Sequence, residues 1–335
     1  MTDKRIEVAT SAIEKNAFIK KVLTKDSSNM HIKFTEEGAP IFNPNFGPLP
    51  SYFVSQSYFF IIKAMYHSSF TKDKEVILSS LSQASAFSYL TLDTHYKSLC
   101  DCRELKDGHY RPYTMSEILP LSSMPFIVRD WEKAKVMTQE LADSLNAKSC
   151  IIERGEYDAL EAWFMVKLAT KVFDIALDKR KPRYPNKEDF KHYQDVLDKW
   201  DSEDMLEVDK MSYFLAELHL SIDYEERLTD LFVKPYFMQL FPYEILTWLK
   251  LRELKGLKNP TEFSHPLMNT PIAKMFLDIK EPLAKPTELP YAKELLEKLK
   301  EKCPNVEIPE WLNGEETQTE KDKSSDNIIP DDFMN

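Results

Sequence analysis

The densest group of metal-ligand and nucleophile side chains lies in HYKSLCDCRELKDGH, which holds His95, Cys100, Cys102 and His109. Cysteine and histidine are the ligands Zn²⁺ prefers, so these four positions form the candidate metal set, and a metal-dependent hydrolase is the enzyme they would serve. The spacing works against it. C-x-C sets two thiolates awkwardly around one tetrahedral ion, and the usual C-x-x-C knuckle is missing. Without a metal the same residues read as ordinary helix-end and loop positions. We assign no metal ligand, cofactor or catalytic residue from this stretch.

Other chemistry-bearing pairs are weaker still. Glu217 and His219 stand two apart on a helical stretch, which turns them to different faces. His219 lies inside the apolar run FLAELHL and is expected to be a hydrogen-bonded core histidine. His192 and Asp195 are spaced to pair on a surface, which needs no function. Cys150 is followed by Ile151 and Ile152, a setting for a buried thiol rather than a reactive one. There is no HExxH, and no serine sits in a glycine-flanked strand-to-helix turn. The chain has six glycines, at 38, 47, 108, 155, 256 and 314, where average usage predicts roughly 23. Phosphate-cradling loops, dinucleotide fingerprints and tight hairpins depend on that residue, so their raw material is scarce.

Charge and aromatics point instead to binding. The formal charge is −11, a poor match for sequence-independent nucleic-acid binding. Residues 201–230 carry ten acids against Lys210 and Arg227. Such a run is either a solvated face or a negative surface that steers a basic partner. Asp201, Glu203, Asp204, Glu207, Asp223, Glu225 and Glu226 are its candidate partner-binding residues. A basic cluster, Lys179, Arg180, Lys181, Arg183 and Lys187, precedes it and is expected to pair within the chain. KPYFMQLFPYEILTW holds more apolar surface than one helix face buries, and Tyr236 and Phe237 are taken from it as candidate interface anchors. Core packing accounts for most of its aromatics.

The elements that must position these residues are helices. Residues 1–30 read as an amphipathic helix with Ile6, Val8, Ile13, Phe18, Ile19 and Val22 on its apolar positions. GAPIFNPNFGPLP, residues 38–50, is a loop by its prolines and glycines. Ser51 is a candidate cap for the helix that follows, and a third helix fits residues 75–99. Residues 107–125 read as irregular. Asp130 caps a helix over WEKAKVMTQELADSLNA. Residues 150–152 leave room for a brief strand. Residues 156–180 form a long central helix, Asn186 starts another, and residues 203–220 and 224–233 give two more, with Pro235 breaking the second. Pro242 opens the next helix, Gly256 closes it, and a last helix covers YAKELLEKLKEK.

The predicted fold is all-α: an irregular stack of about ten helices in αα-hairpins, with at most one short strand pair. Residues 1–312 form the helical domain, with halves 1–148 and 149–312 packed together. Residues 313–335 are an acidic, disordered tail. The charged N-terminus lacks a secretory h-region, no apolar run is long enough to span a membrane, and four cysteines make no secreted framework. The expected location is the cytoplasm.

Three stretches in this order carry a family resemblance: QSYFFIIKAMYHSSFTKDKEVILSSLSQASAFSYLTL, GEYDALEAWFMVKLATKVFDIALD and PYEILTWLKLRELKGLKNPTEFSHPLMNTP. Together they resemble the bacterial immunity-49 family, helical proteins encoded beside polymorphic toxins. The first is similar to that family's paired N-terminal helices. The second, with Trp163 and Phe164 behind an alanine, is similar to its central helix, and the third to its closing helix and turn. The resemblance implies a cytosolic antidote that binds one cognate toxin and blocks it; the acidic run adds the expectation of a basic toxin whose active or substrate-binding surface is occluded. It brings no catalytic residues. A helical scaffold or adaptor is the alternative of another class.

Overall fold

The computed structural model describes residues 3–15, 33–34, 40–41, 50–101, 120–147, 160–178, 187–222, 235–286, 289 and 291–313. Among them the architecture is the all-α stack expected. Twelve α-helices run in order: α1 (Lys4–Lys15), α2 (Pro50–Tyr66), α3 (Lys74–Asp101), α4 (Met124–Ile127), α5 (Trp131–Ala147), α6 (Leu160–Phe173), α7 (Lys187–Asp198), α8 (Met205–Ser221), α9 (Pro235–Gln239), α10 (Tyr243–Leu254), α11 (Pro271–Leu277) and α12 (Ala292–Lys302). One two-residue antiparallel pair, Lys33–Phe34 with Pro40–Ile41, is the sole sheet among the described residues. It falls where a loop was expected. The strand at 150–152, the helix at 224–233, the basic residues 179–183 and the tail from 314 all lie outside the described residues.

Local signals explain most helix ends. Asp73 and Asp130 accept the N–H groups of Val76 and Lys133, both at 3.2 Å, and so cap α3 and α5. Asp204 accepts from Leu206 N–H at 2.9 Å and caps α8. At the end of α10, Gly256 at φ +76° allows Leu257 N–H to reach the Arg252 carbonyl and Gly256 N–H to reach that of Glu253, each at 3.0 Å. That is a Schellman stop, placed where the sequence puts its glycine.

Some expectations shift. Helix α2 begins at Pro50, so Ser51 lies inside the first turn rather than before it. Residues 120–122 and α4 are helical where irregular chain was expected, because a proline in a first turn loses no hydrogen bond. Pro235 starts α9. Val8 faces solvent, while Ile6, Ala9 and Ile13 form the buried stripe of α1.

Antiparallel α2 and α3 pack along their length around Tyr52, Phe53, Phe60 and Phe87, with Phe60 and Phe87 stacked at 5.8 Å. Helix α6 lies against α5, α7 and α10, and α10 also meets α4, α8 and α11. One continuous apolar core runs from Ile6 to Val306. Contacts cross the expected 148/149 boundary, such as the hydroxyl of Ser82 donating to the Ala284 carbonyl at 2.5 Å.

The scarcity of glycine leaves a mark on this backbone. Lys72, Arg129, Asp174 and Tyr291 take positive φ, between 57° and 64°, at helix boundaries where glycine is the easy choice. Asp174 is exposed and follows α6, whose stop is the Ile175 N–H bond to the Thr170 carbonyl at 2.9 Å. Asp174→Gly is expected to raise stability by about 0.5–1 kcal/mol, since the left-handed penalty it removes exceeds the entropy it adds. Urea denaturation checks this; a destabilised variant would mean the aspartate carries a contact of its own.

Candidate functional site

Helix α8 has two unlike faces. Val208, Met211, Ser212, Leu215, Ala216 and His219 recur at helical spacing and are buried. The opposite face carries Leu206, 81 % exposed, with Tyr213 at 40 % and Phe214 at 44 %. Asp201, Glu203 and Asp204 stand exposed at the helix's N-terminal end, with Glu207 half-buried one turn on. Glu207 takes Lys199 Nζ at 2.5 Å and the Ser202 hydroxyl at 2.7 Å, and those two hydrogen bonds hold its carboxyl below the usual range. Asp209 accepts from Ser264, through its backbone N–H at 2.8 Å and its hydroxyl. Of the acids expected to bind a partner, the structure therefore gathers Asp201, Glu203, Asp204 and Glu207 at one end of α8. Asp223, Glu225 and Glu226 lie outside the described residues.

The exposed aromatics are elsewhere than expected. Phe237, on α9, is fully buried in the core and is not a surface anchor; Phe241, Tyr243 and Trp248 are buried with it. The Tyr236 side chain lies outside the description, while its backbone belongs to α9. Tyr213 and Phe214 take the exposed role. Their signal in the sequence is a pair of aromatics off-phase from the 208/211/215/219 stripe, inside a helix apolar enough on both sides to hide it.

Behind the α8 surface, Arg5 of α1 joins two carboxylates. Its guanidinium reaches Asp3 at 2.5–3.1 Å and Glu217 at 3.0–3.1 Å. Hydrogen bonds from Arg5 hold the Asp3 and Glu217 carboxyls down, His265 adding to the second. Asp3, Glu217 and His265 are also the one described set close enough to share a metal ion. Their hydrogen bonds disfavour that use. His265 Nδ1 accepts from Leu267 N–H at 3.1 Å, so Nε2 carries the proton and donates to Glu217 at 3.0 Å. Neither ring nitrogen offers a lone pair, and Arg5 already supplies the cation. Tyr213 rests edge-on against this imidazole at 4.9 Å.

The sequence-derived metal set does not assemble within the described residues: His95 is buried on α3, the Cys100 side chain is not described, and Cys102 and His109 lie outside. His219 is the core histidine expected. Nε2 donates to the Met238 carbonyl at 2.9 Å, and Nδ1 lies 2.9 and 3.1 Å from the Glu244 carboxylate oxygens. Burial opposes its charge, yet the Glu244 carboxylate and both hydrogen bonds raise its pKa overall. Both ring nitrogens thus face oxygen acceptors inside a fully buried His219–Glu244 pair.

A second buried ionisable group was not legible in the sequence. Asp93 on α3 and Glu140 on α5 face each other, both buried, and Lys97 Nζ approaches Asp93 at 2.7 Å and Glu307 at 3.6 Å. Burial, then the charge of Asp93 and a hydrogen bond with it, push the Glu140 carboxyl up to about 9. Two close carboxylates cannot both ionise out of water, so the pair holds a proton at neutral pH. Asp93 and Glu140 sit 47 positions apart on different helices, which hides the pairing from local pattern.

No family model matches the chain, and neither a curated protein nor a solved structure matches it. No helix among the described residues is long and apolar enough to cross a membrane.

The Glu140 proton gives a signed prediction. The folded chain keeps it to about pH 9, whereas the ordinary value is 4.5. Between those limits the folded state binds one more proton, so this group's stabilisation is complete below the lower value and is lost as pH rises towards the upper. Glu140→Gln is expected to remove that slope, up to about 1.4 kcal/mol per pH unit relative to wild type. Urea midpoints measured for both proteins across that range are the check, and parallel curves would rule out a shared proton.

Proposed function

We propose that this chain is a non-catalytic binding protein that grips a basic protein partner on the outer face of α8. The observation that carries the reading is the exposed row of Leu206, Tyr213 and Phe214 beside the acids Asp201, Glu203 and Asp204. Aromatics on a surface provide the anchors of an interface, and a ring of like charge raises the encounter rate with an oppositely charged partner. The net charge of −11 adds a longer-range field of the same sign.

The specific form we favour is an immunity protein that neutralises a toxin encoded beside it. The three stretches resembling the immunity-49 family support this, as does the lack of a recognisable active-site motif in the sequence. A cytoplasmic location belongs to the same proposal. On this reading the acids meet a basic toxin surface, one suited to nucleic acid or another anionic substrate, and occlude it.

The test is binding to the product of the adjacent toxin gene. Tyr213→Ala with Phe214→Ala is expected to speed dissociation by at least about thirtyfold, the loss of one hot spot, while leaving thermal stability near wild type. Asp201→Lys with Glu203→Lys should instead slow association and flatten its dependence on salt. Asp204, which caps α8, is left in place. Surface plasmon resonance at two ionic strengths separates the effects. Unchanged kinetics in both variants would reject this face, and failure of the wild-type chain to protect cells from the toxin would reject the immunity role.

A further inference from the structure

Away from α8, three cations meet one carboxylate. Arg129, which follows α4, donates from Nη1 to Glu253 Oε2 at 2.6 Å. Lys280, beyond α11, reaches Oε1 at 3.1 Å, and Lys250 of α10 lies 3.3 Å from Oε2. Among the described residues the local balance is two positive charges in excess. Lys250 is fully buried and spends its other donors on the carbonyls of Ile279 and Leu277, at 2.5 and 3.4 Å. It supplies field without an open contact. Lys280 is 64 % exposed, and Arg129 is half-buried with its guanidinium 5.5 Å from the Trp131 ring centre. The Nε–H of Arg129 is buried without an acceptor.

Two further features mark this cluster. Burial first, then Lys280 and Arg129, pull Lys250 down to about 8 against the opposing pull of Glu253. The cations therefore repel one another in the chain as it stands. Arg129 also holds φ at +64°, a conformation a large side chain occupies only under constraint from its surroundings. A glycine would relax the turn and lose the guanidinium.

We propose that Arg129 and Lys280, with Lys250 behind them, form a binding site for a small phosphate-bearing anion. A phosphate dianion matches the surplus charge, and the planar guanidinium suits its oxygens. Lys280 closes over the anion from the solvent side, and Glu253 keeps the two contact cations in place. The site is separate from α8 and does not rest on the proposed partner.

Inorganic phosphate is the probe. At constant ionic strength made up with chloride, phosphate is expected to raise the thermal midpoint in a saturable way and to broaden its own phosphorus NMR line. Lys280→Gln, a change at an exposed position, should weaken that binding about tenfold, as expected for loss of one charge-assisted hydrogen bond. Arg129→Lys keeps the charge without the fork and should weaken it as well. Acetate at equal concentration should produce no saturable shift. A phosphate response equalled by chloride, one matched by acetate, or one unchanged in Lys280→Gln would each overturn the proposal.

Discussion

Helix α10 has no solvent-facing side over Tyr243 to Arg252, and that constraint organises the rest of the molecule. A helix buried all round must satisfy its charged side chains from within, because an unpaired charge out of water costs several kcal/mol. Glu244 meets His219 of α8. Lys250 donates to the carbonyls that follow α11. Arg252 donates to the Trp200 carbonyl at 2.7 Å, to Lys258 at 2.7 Å and to Asn259 at 3.0 Å. Trp248 Nε1–H shares the Trp200 carbonyl at 3.0 Å. The partners come from several segments, so α10 fixes where α8, α11 and the turn after α7 must stand. Tyr243 extends the network towards Glu161 of α6 at 3.4 Å.

This arrangement commits only one side of α8. His219 and the 208/211/215 stripe tie it to the core, while Arg5 and His265 hold Glu217 at its edge. The outer face inherits a fixed position while Leu206, Tyr213 and Phe214 stay partly open to solvent. A rigid, positioned, unburied helix face is what a binding surface requires, since little ordering entropy is then lost on association. The surface pair Arg5–Glu217 contributes little to stability by itself. Its value lies in orientation, because it keeps α1 beside α8.

Much of the scaffold was legible from local chemistry. Asp130 and Gly256 stand at helix ends because an orphaned N–H or carbonyl has to be satisfied there, and that demand is written in neighbouring residues. His219 read correctly because it sits in an apolar run on the buried phase of α8. What could not be read depends on relations across the chain. A helix buried on every side shows no amphipathic phase, and Phe237, on the short α9 just before it, was taken for an interface anchor when it is core. Tyr213 and Phe214 carry no local mark of exposure, because the residues around them in sequence are core. The Asp93–Glu140 pair and the cations around Glu253 join segments far apart in sequence, where spacing carries no signal. Prolines misled at two places: Pro50 is the first residue of α2 and Pro125 the second of α4, first-turn positions that tolerate a missing N–H.

The acids and the apolar residues of α8 carry different weight as evidence for binding. Carboxylates near a helix N-terminus are explained by the fold alone: Asp204 caps, Glu207 pairs with Lys199, and both favour the macrodipole. Their presence would be expected on a helix that touches nothing. Leu206, Tyr213 and Phe214 have no such explanation, because apolar area left in water adds nothing to stability. A single exposed leucine is common, but three large side chains along one face, two of them adjacent aromatics, form a patch. The functional inference therefore rests on the apolar row, with the acids deciding the sign of the charge a partner presents. That ordering also fits the kinetics of association, in which charge governs how fast partners meet and buried aromatic area governs how long they stay.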